Sequence, residues 1–287
     1  MTVERIISKV AEYIPLRVKI ALRGDRGSPT RLANVIHGVL NRLAGERYPI
    51  LPCGGVLKGF RMRVDWQLHR SFVYGSWEPE VVRSIQEHVV PGTRVLDIGA
   101  QSGFYSLLLS RLVGREGTVF GFEPLPANFR ILEENMRLND IQNVIVRREA
   151  VSDRSGEIRF DFPHEEPSLV AGPTAAGDDL GTFLVPSISL DDFVRQTGHS
   201  VEFVKMDVEG AETDVLRGAA ETLRTFHPSL VIELHHDLPQ NGLHPAIPLL
   251  KELGYQIHWL NELDYRSHIF AQWIPSDTDS GKGDEES

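Results

Sequence analysis

The chain has a single cysteine and no long apolar stretch. Cys53 stands alone among the 287 residues, which excludes an internal disulfide and a cysteine-ligated metal cluster and favours a reducing, cytoplasmic compartment. No run of about 18 apolar residues is present, so no membrane-spanning helix is predicted. The opening segment, MTVERIISKV, mixes acids with bases and has none of the features of a signal peptide, so none is expected.

Basic residues are scarce relative to acids. The chain carries 30 Lys and Arg against 40 Asp and Glu, for a formal net charge of -10. A nucleic-acid partner held through its phosphates requires a basic face, so no such partner is expected. A basic amphipathic helix is predicted over residues 1–23; its packing against its own domain is favoured over contact with a membrane surface.

Charge and turn residues divide the chain into three regions. Residues 1–77 are predicted to form helices and a β-hairpin that cap the main domain. Residues 78–274 alternate strands with helices, and residues 275–287 form a polar, acidic tail that is expected to be disordered. Within the main domain, residues 163–184 are rich in Pro, Gly and Ala, and this long loop is interpreted either as a lid near the point where a substrate would enter or as a flexible insertion.

Nearly continuous apolar runs mark the strands of the main domain. Such runs are typical of a parallel sheet with helices on both faces, so the sequence predicts an α/β fold. The parallel strands are expected in RVLDIGA, GTVFGFE, NVIVRREAV, VEFVKMDV and SLVIELHH, and two final strands in YQIHWL and HIFAQW.

Each of the predicted parallel strands ends in an acid or a histidine. In an open α/β sheet, ligands lie beyond the carboxyl ends of the strands, where these side chains collect. Helix capping would explain one or two of them but not the whole set. They are Asp97, Glu123, Glu149, Asp207, Glu209, Glu233 and His235.

The loop in VLDIGAQSGF, after the first of these strands, indicates what the site binds. Gln101 stands where the dinucleotide fingerprint G-x-G-x-x-G has its middle glycine, so backbone approach to a pyrophosphate would be hindered. Glu123, at the tip of the next strand, is placed to accept both hydroxyls of a ribose. S-adenosylmethionine, a nucleoside with an amino-acid end and no phosphate, meets both conditions, and its positive sulfonium suits the acidic edge.

Several segments resemble the FkbM family of S-adenosylmethionine-dependent methyltransferases. They are VLDIGAQSGFYSLLLS, FGFEPLPANFRILEENMRLN, AVSD, SLDDF and FVKMDVEGAETDVLRGA, and the similarity runs from about Glu78 to Gly254. Family members commonly have Asn and Ile where this chain has Gln101 and Met206. The resemblance implies a seven-stranded Rossmann-like methyltransferase sheet and methylation of a hydroxyl on a sugar, glycan or natural-product acceptor, with residues 1–77 on the acceptor side.

The cofactor site is predicted from the first motifs. Asp97 and Gly99 are expected to hold the methionyl end of S-adenosylmethionine, and Glu123 its ribose. The full set of cofactor-binding candidates is Asp97, Gly99, Ala100, Gln101, Ser102, Gly103, Phe104, Glu123, Pro124, Glu149 and Ala150.

The catalytic candidates come from the last two parallel strands, because an alcohol acceptor benefits from a general base. His235 is the first candidate base, oriented by Asp207 or Glu233, and Asp207 is the second; a structural role for His235 at the strand end is the alternative. Glu209 either interacts with the N-terminus of the next helix or joins Asp207 and Glu233 in a Mg²⁺ site, and the metal is the less favoured interpretation. His236 is expected to face the opposite side of the sheet.

Two other classes of protein would share this arrangement of strand, loop and acid. An NAD-type Rossmann oxidoreductase is disfavoured by Gln101 and by the VEGAE segment. A cofactor-binding module without catalysis would lack the functional groups at the ends of the last two parallel strands. A methyltransferase of DNA or RNA amino groups would carry an N/D-P-P-Y/F tetrapeptide, which is absent from the sequence.

Overall fold

The computed structural model describes residues 49–65, 69–160, 183–235, 244–262 and 266–275. The helices predicted within residues 1–48, most of the predicted lid, His236 and the acidic tail lie outside the described residues. None of the helices in the described ranges combines the length and apolar character needed to cross a membrane.

A short hairpin precedes the main domain. Strand β1 (Ile50–Pro52) pairs antiparallel with β2 (Arg61–Arg63), and a 3-10 turn at Gly55–Leu57 lies between them. Helices α1 (Arg70–Tyr74) and α2 (Pro79–His88) follow. Proline opens α2 because the first N–H groups of a helix have no intrahelical partner to lose. The predicted hairpin and the predicted helix after residue 78 are confirmed.

Strands and helices then alternate through the main domain. In chain order the elements are β3 (Arg94–Ile98), α3 (Phe104–Val113), β4 (Thr118–Phe122), α4 (Pro126–Leu138), β5 (Val144–Arg147), β6 (Ala150–Ser152), β7 (Gly156–Phe160), β8 (Phe183–Ser189), α5 (Leu190–Thr197), β9 (Phe203–Met206), α6 (Glu212–Arg217), α7 (Ala220–Phe226), β10 (Ser229–His235), α8 (Ala246–Glu252), β11 (Tyr255–Glu262) and β12 (Arg266–Trp273). Helix α5 begins after Ser189, whose hydroxyl caps the helix by accepting the Asp192 backbone N–H at 3.1 Å.

Seven strands form the central sheet, in the order β11-β12-β10-β9-β3-β4-β5. The run from β10 to β5 is parallel, while β12 pairs antiparallel with both β10 and β11. The strand order reverses between β3 and β9, which is the position where open α/β sheets bind their ligands. The predicted seven-stranded Rossmann-like sheet is therefore confirmed, and the end of β9 lies beside the end of β3.

Two elements differ from their predicted form. The predicted strand NVIVRREAV is divided: β5 ends at Arg147, and β6 joins a separate three-stranded sheet with β7 and β8. The charged residues between them interrupt the apolar run, and Arg147 pairs with Glu149 at 2.6 Å. The segment ETDVLRGAAETLRTF, whose apolar spacing predicts a single helix, is also divided, into α6 and α7. The Gly218 carbonyl at this break accepts the Asp191 N–H at 2.9 Å instead of continuing the helix.

The core lies on both faces of the central sheet. Neighbouring residues of β3 point to opposite faces, as strand geometry requires. Val95 packs in one cluster with Ile85 of α2 and Leu108 of α3. Leu96 packs in another with Phe193 of α5 and Val215 of α6. Helices therefore cover the two faces, and the loops at the carboxyl edge of the sheet stay open to build a site.

Candidate active site

The loops after β3 and β9 touch at the point where the strand order reverses. Gly99 has φ +80°, and a Cβ at this position would lie 1.7 Å from the Asp207 carbonyl oxygen. Only glycine lets the two backbones approach this closely. Gly103 serves packing instead, because a Cβ there would lie 2.7 Å from the Leu132 side chain of α4.

A cavity of about 320 Å³ opens at this junction. Its size falls within the range of small-molecule sites, about 300 to 1,000 Å³. Predicted cofactor-binding residues that line it are Gly99, Gln101, Glu123, Pro124, Glu149 and Ala150. Its other polar lining residues include Asn128, Asp153, Arg154, Asp207, Glu209 and Asp214. The lining carries more acids than bases, which suits a positively charged ligand.

Glu123 is held in the cavity wall by backbone groups. Its Oε2 accepts the Gln101 N–H at 2.8 Å, and its Oε1 accepts the Leu125 N–H at 2.9 Å. Burial raises the pKa of Glu123, and although hydrogen bonds from Leu125, Gln101 and Asn128 oppose this effect, the pKa reaches about 7. The fixed carboxylate keeps lone pairs for the hydroxyls of a ribose. Asn128, which the sequence interpretation missed, is the side-chain partner of Glu123.

Gln101 and Glu209 both line the cavity with left-handed backbone, at φ +50° and +51°. Non-glycine residues in this conformation cost roughly 1 to 3 kcal/mol and concentrate at functional sites. The Gln101 side chain is hydrogen-bonded to His69, which also stacks on Phe72. Burial lowers the pKa of His69 to about 4, so its ring is neutral. The side-chain amide of Gln101 thus connects the cavity loop to His69, the residue just before α1.

The other predicted cofactor residues lie behind the cavity surface. Asp97, Ala100, Ser102, Gly103 and Phe104 are absent from the lining that the described residues form. Asp97 is 0% exposed, and its Oδ2 accepts the Ser106 hydroxyl at 2.6 Å. Burial raises the pKa of Asp97, and the charge of Lys205 opposes that shift. Within the described part of the chain, Asp97 Oδ1 has no hydrogen-bond partner, so it can accept one more donor.

The predicted catalytic residues form one cluster around His235. Its Nε2 lies 3.1 Å from Glu209 Oε2, 3.6 Å from Glu233 Oε1 and 3.9 Å from Asp207 Oδ1. Asp207 and Glu209 line the cavity, whereas His235 and Glu233 do not belong to the lining formed by the described residues. The carboxylates therefore stand between the cavity and the imidazole.

The protonation of His235 follows from these neighbours. Burial by itself would lower its pKa, but hydrogen bonds to Glu209 and Glu212 and the charges of Glu209 and Asp207 raise the pKa to about 11. At neutral pH the ring is an imidazolium. It can accept a proton only after losing one.

The sequence interpretation missed the side chains that balance this negative charge. Lys205 is buried, and its Nζ lies 3.4 Å from Asp207 Oδ2 and 4.6 Å from the ring centre of Tyr105. Its charge therefore pairs with Asp207 inside the protein. Because Lys205 lies within the apolar run of β9, the sequence predicts only a strand residue, and no local pattern indicates that its charge pairs with Asp207.

Glu233 belongs to a second group of ion pairs deeper in the fold. Its Oε1 accepts the Arg266 guanidinium at 2.8 Å, and its Oε2 lies 3.1 Å from His268 Nε2. Donor atoms of Asp207, Glu233 and His235 lie within 4.8 Å of one another, a spacing that a metal ion could bridge. Arg266 and the His235 imidazolium already supply positive charge to this group, so the donor set is compensated by side chains.

Comparisons with known proteins agree with this geometry. A family described as the Methyltransferase FkbM domain matches residues 97–257. The hexuronic acid methyltransferase AglP of Haloferax volcanii is 31% identical over 161 residues, 55% of this chain and 62% of AglP. The 2-O-methyltransferase NoeI of Sinorhizobium fredii is 29% identical over 174 residues, 54% of this chain and 70% of NoeI. The chain thus spans less than two thirds of the length of AglP.

Among solved structures, the FkbM methyltransferase of Methylobacillus flagellatus KT aligns with 73% of this chain and 56% of its own, at 17% identity and a TM-score of 0.46. The family match does not rest on that alignment. It covers more than half of the chain, and it contains the strands and loops that build the cavity. For these reasons the chain belongs to the FkbM family of S-adenosylmethionine-dependent methyltransferases.

Proposed function

We propose that the protein transfers a methyl group from S-adenosylmethionine to a hydroxyl oxygen of a sugar, glycan or natural-product acceptor. The observation that carries the proposal is the placement of Asp207 and Glu209 in the wall of the cavity that also contains Glu123. Proton-accepting groups and a ribose-binding acid thereby share one site. The names of AglP and NoeI, a hexuronic acid methyltransferase and a 2-O-methyltransferase, support a sugar hydroxyl as the acceptor.

The cofactor would be held by the loops after β3, β4 and β5. Glu123 accepts the ribose hydroxyls and the backbone at Gly99 holds the methionyl end, to which Asp97, behind the cavity surface, contributes through water. Pro124, Glu149 and Ala150 complete the wall beyond the ribose. When bound, the cofactor supplies a positively charged sulfonium with a transferable methyl group, which the acidic lining stabilises.

The protein's part in the reaction is to orient the acceptor and take its proton. The oxygen–methyl bond forms as the sulfur–methyl bond breaks in line, and the hydroxyl proton passes to a base within hydrogen-bond reach. His235 and Asp207 are the two candidate bases. The geometry favours Asp207, because its side chain belongs to the cavity lining. His235 lies behind it and carries a proton at neutral pH.

Binding and transfer experiments test the proposal. Calorimetry should show binding of S-adenosylmethionine and S-adenosylhomocysteine and none of NAD. Transfer of a labelled methyl group should then be measured on a panel of hydroxylated sugars, glycans and natural products. Binding without transfer to any member of the panel would favour a cofactor-binding module, and transfer to an amine alone would contradict O-methylation.

Two parts of the proposal concern segments that lie mostly outside the described ranges. Residues 1–77 are proposed as a cap on the acceptor side, and residues 163–184 as a lid over the acceptor. Protease cleavage within residues 163–184 should slow when cofactor and acceptor are both bound. Equal cleavage rates with and without ligands would contradict the lid.

A further inference from the structure

A fully buried carboxylate contacts the histidine of the catalytic cluster. Glu212 is the first residue of α6 and is 0% exposed. Its Oε1 lies 3.0 Å from the Gly210 N–H nitrogen and 2.8 Å from His235 Nδ1. Glu212 does not line the cavity formed by the described residues, and the proposed chemistry makes no direct use of it.

A second histidine faces the other oxygen of Glu212. His244 is buried, and its Nε2 lies 3.6 Å from Glu212 Oε2. The Ala246 N–H donates to His244 Nδ1 at 3.2 Å, so the hydrogen of this ring is on Nε2, toward Glu212. Burial would raise the pKa of Glu212, but hydrogen bonds from His235 and Gly210 and the nearby ring of His244 lower it to about 2. The carboxylate is therefore ionised.

An ionised carboxylate can only accept hydrogen bonds, and this determines the orientation of His235. The Nδ1 atom of His235 must carry a hydrogen to bind Glu212. Its Nε2 is then the atom that faces Glu209 and Asp207, the two carboxylates in the cavity wall. A ring turned by half a rotation would lose the contact with Glu212 and present carbon to these carboxylates.

We propose that Glu212 is a positioning residue, which holds the Nδ1–H of His235 and so keeps His235 Nε2 directed at Asp207 and Glu209. A carboxylate bound to the far nitrogen of a functional imidazole fixes the orientation of the ring in metal sites and in hydrolases, and in His235, which carries both ring protons, orientation is all that has to be fixed. Here Glu212 would hold the His235 ring, and the ring would in turn hold Asp207 and Glu209, the carboxylates that face the acceptor. The proposal rests on the proposed methyl transfer for its functional consequence, but the hydrogen bond itself is independent of it.

The hydrogen bond can be tested without an acceptor. In protein labelled with ¹⁵N at histidine, the His235→Gln variant identifies the His235 signals by their loss. The wild-type protein should show a low-field Nδ1–H resonance that exchanges slowly with water. Glu212→Gln, which keeps the size and an acceptor oxygen, should move this resonance upfield, and Glu212→Ala should remove it. Glu221→Gln, on the exposed surface of α7, should leave the resonance unchanged. An identical resonance in the wild type and in Glu212→Gln would overturn the proposal.

A double-mutant cycle tests the functional consequence. Glu212→Gln should lower turnover by about tenfold or more while the cofactor Kd stays within about twofold, since the residue lies outside the cavity. In a His235→Gln background the same substitution should have no further effect, because Glu212 acts through His235. Equal losses in both backgrounds would overturn the positioning role. Absence of methyl transfer in the wild type would instead refute the proposed function, and the NMR result would stand.

Discussion

The loops after β3 and β4 hold their acidic side chain with backbone groups, whereas the loops after β9 and β10 hold theirs with other charged side chains. In the first pair, which we call the cofactor half, Glu123 accepts two backbone N–H groups. In the second, the acid–base half, His235 contacts the carboxylates of Asp207, Glu209, Glu212 and Glu233. The position of the acid in the cofactor half is fixed by backbone N–H groups of the loops after β3 and β4. The positions of the side chains in the acid–base half are fixed by charged residues from other parts of the chain. Substitutions should therefore separate cofactor affinity from turnover.

The largest expected effect is in the acid–base half, at Asp207. Asp207→Asn keeps the shape of the side chain but removes its ability to accept a proton, so turnover should fall by roughly 10² to 10⁴-fold. Cofactor affinity should fall far less, because Asp207 is only one of several acids in the cavity lining. Steady-state turnover and calorimetry on the same preparation measure the two quantities, and near-normal turnover would exclude Asp207 as the base.

The pH profile then decides between the two candidate bases. If His235 were the base, turnover would rise with pH from neutral toward about 11, because the imidazolium must first lose its proton. With Asp207 as the base, turnover should be level across that interval, because no imidazolium has to lose a proton before the transfer. His235→Gln should retain the level profile in the second case.

A smaller effect is expected in the cofactor half. Glu123→Ala removes the ribose acceptor and strands the N–H groups of Gln101 and Leu125, so cofactor binding should weaken by about 1 to 3 kcal/mol. Turnover at saturating cofactor should change little. Glu116→Ala, at an exposed position between α3 and β4, is the matched control. If Glu123→Ala lowered turnover and left affinity intact, the separation between the halves would fail.

Cofactor affinity should also depend on pH through Glu123. Its pKa is raised to about 7, so the carboxylate is ionised above this pH and gains a proton as the pH falls through it. The protonated form has less acceptor capacity for ribose hydroxyls, so affinity should decline as the pH drops below about 7. Calorimetry from about pH 8 to about pH 5, an interval that brackets the pKa of Glu123, measures the decline in cofactor affinity. Glu123→Gln should bind more weakly and without this dependence.

The smallest effect should come from a site remote from both halves. Ser189→Ala removes the cap of α5, and the free energy of unfolding should fall by about 0.5 to 2 kcal/mol. Urea denaturation measures this loss. Cofactor affinity and turnover should be unchanged, and a change in either would mean that general destabilisation also perturbs the site.

The cofactor half could be predicted from the sequence because its signals are local. Gly99 follows a buried strand directly, and Glu123 ends the next strand, so strand order alone brings them to one edge. The contact between Glu212 and His235 joins α6 to β10, and no periodic pattern specifies which carboxylate the imidazole binds. The division of the strand around Arg147 and Glu149 was missed for a similar reason, because an apolar run does not show where pairing changes from one sheet to another.

The contact between Gly99 and the Asp207 carbonyl limits which changes the loops after β3 and β9 can accept. A single methyl group at position 99 would lie 1.7 Å from that oxygen, so the two loops share a boundary that accepts no side chain. A change of length or direction in either loop would need a matching change in the other. The cofactor half and the acid–base half therefore share one fixed point, and a shift of either loop would be transmitted to the other.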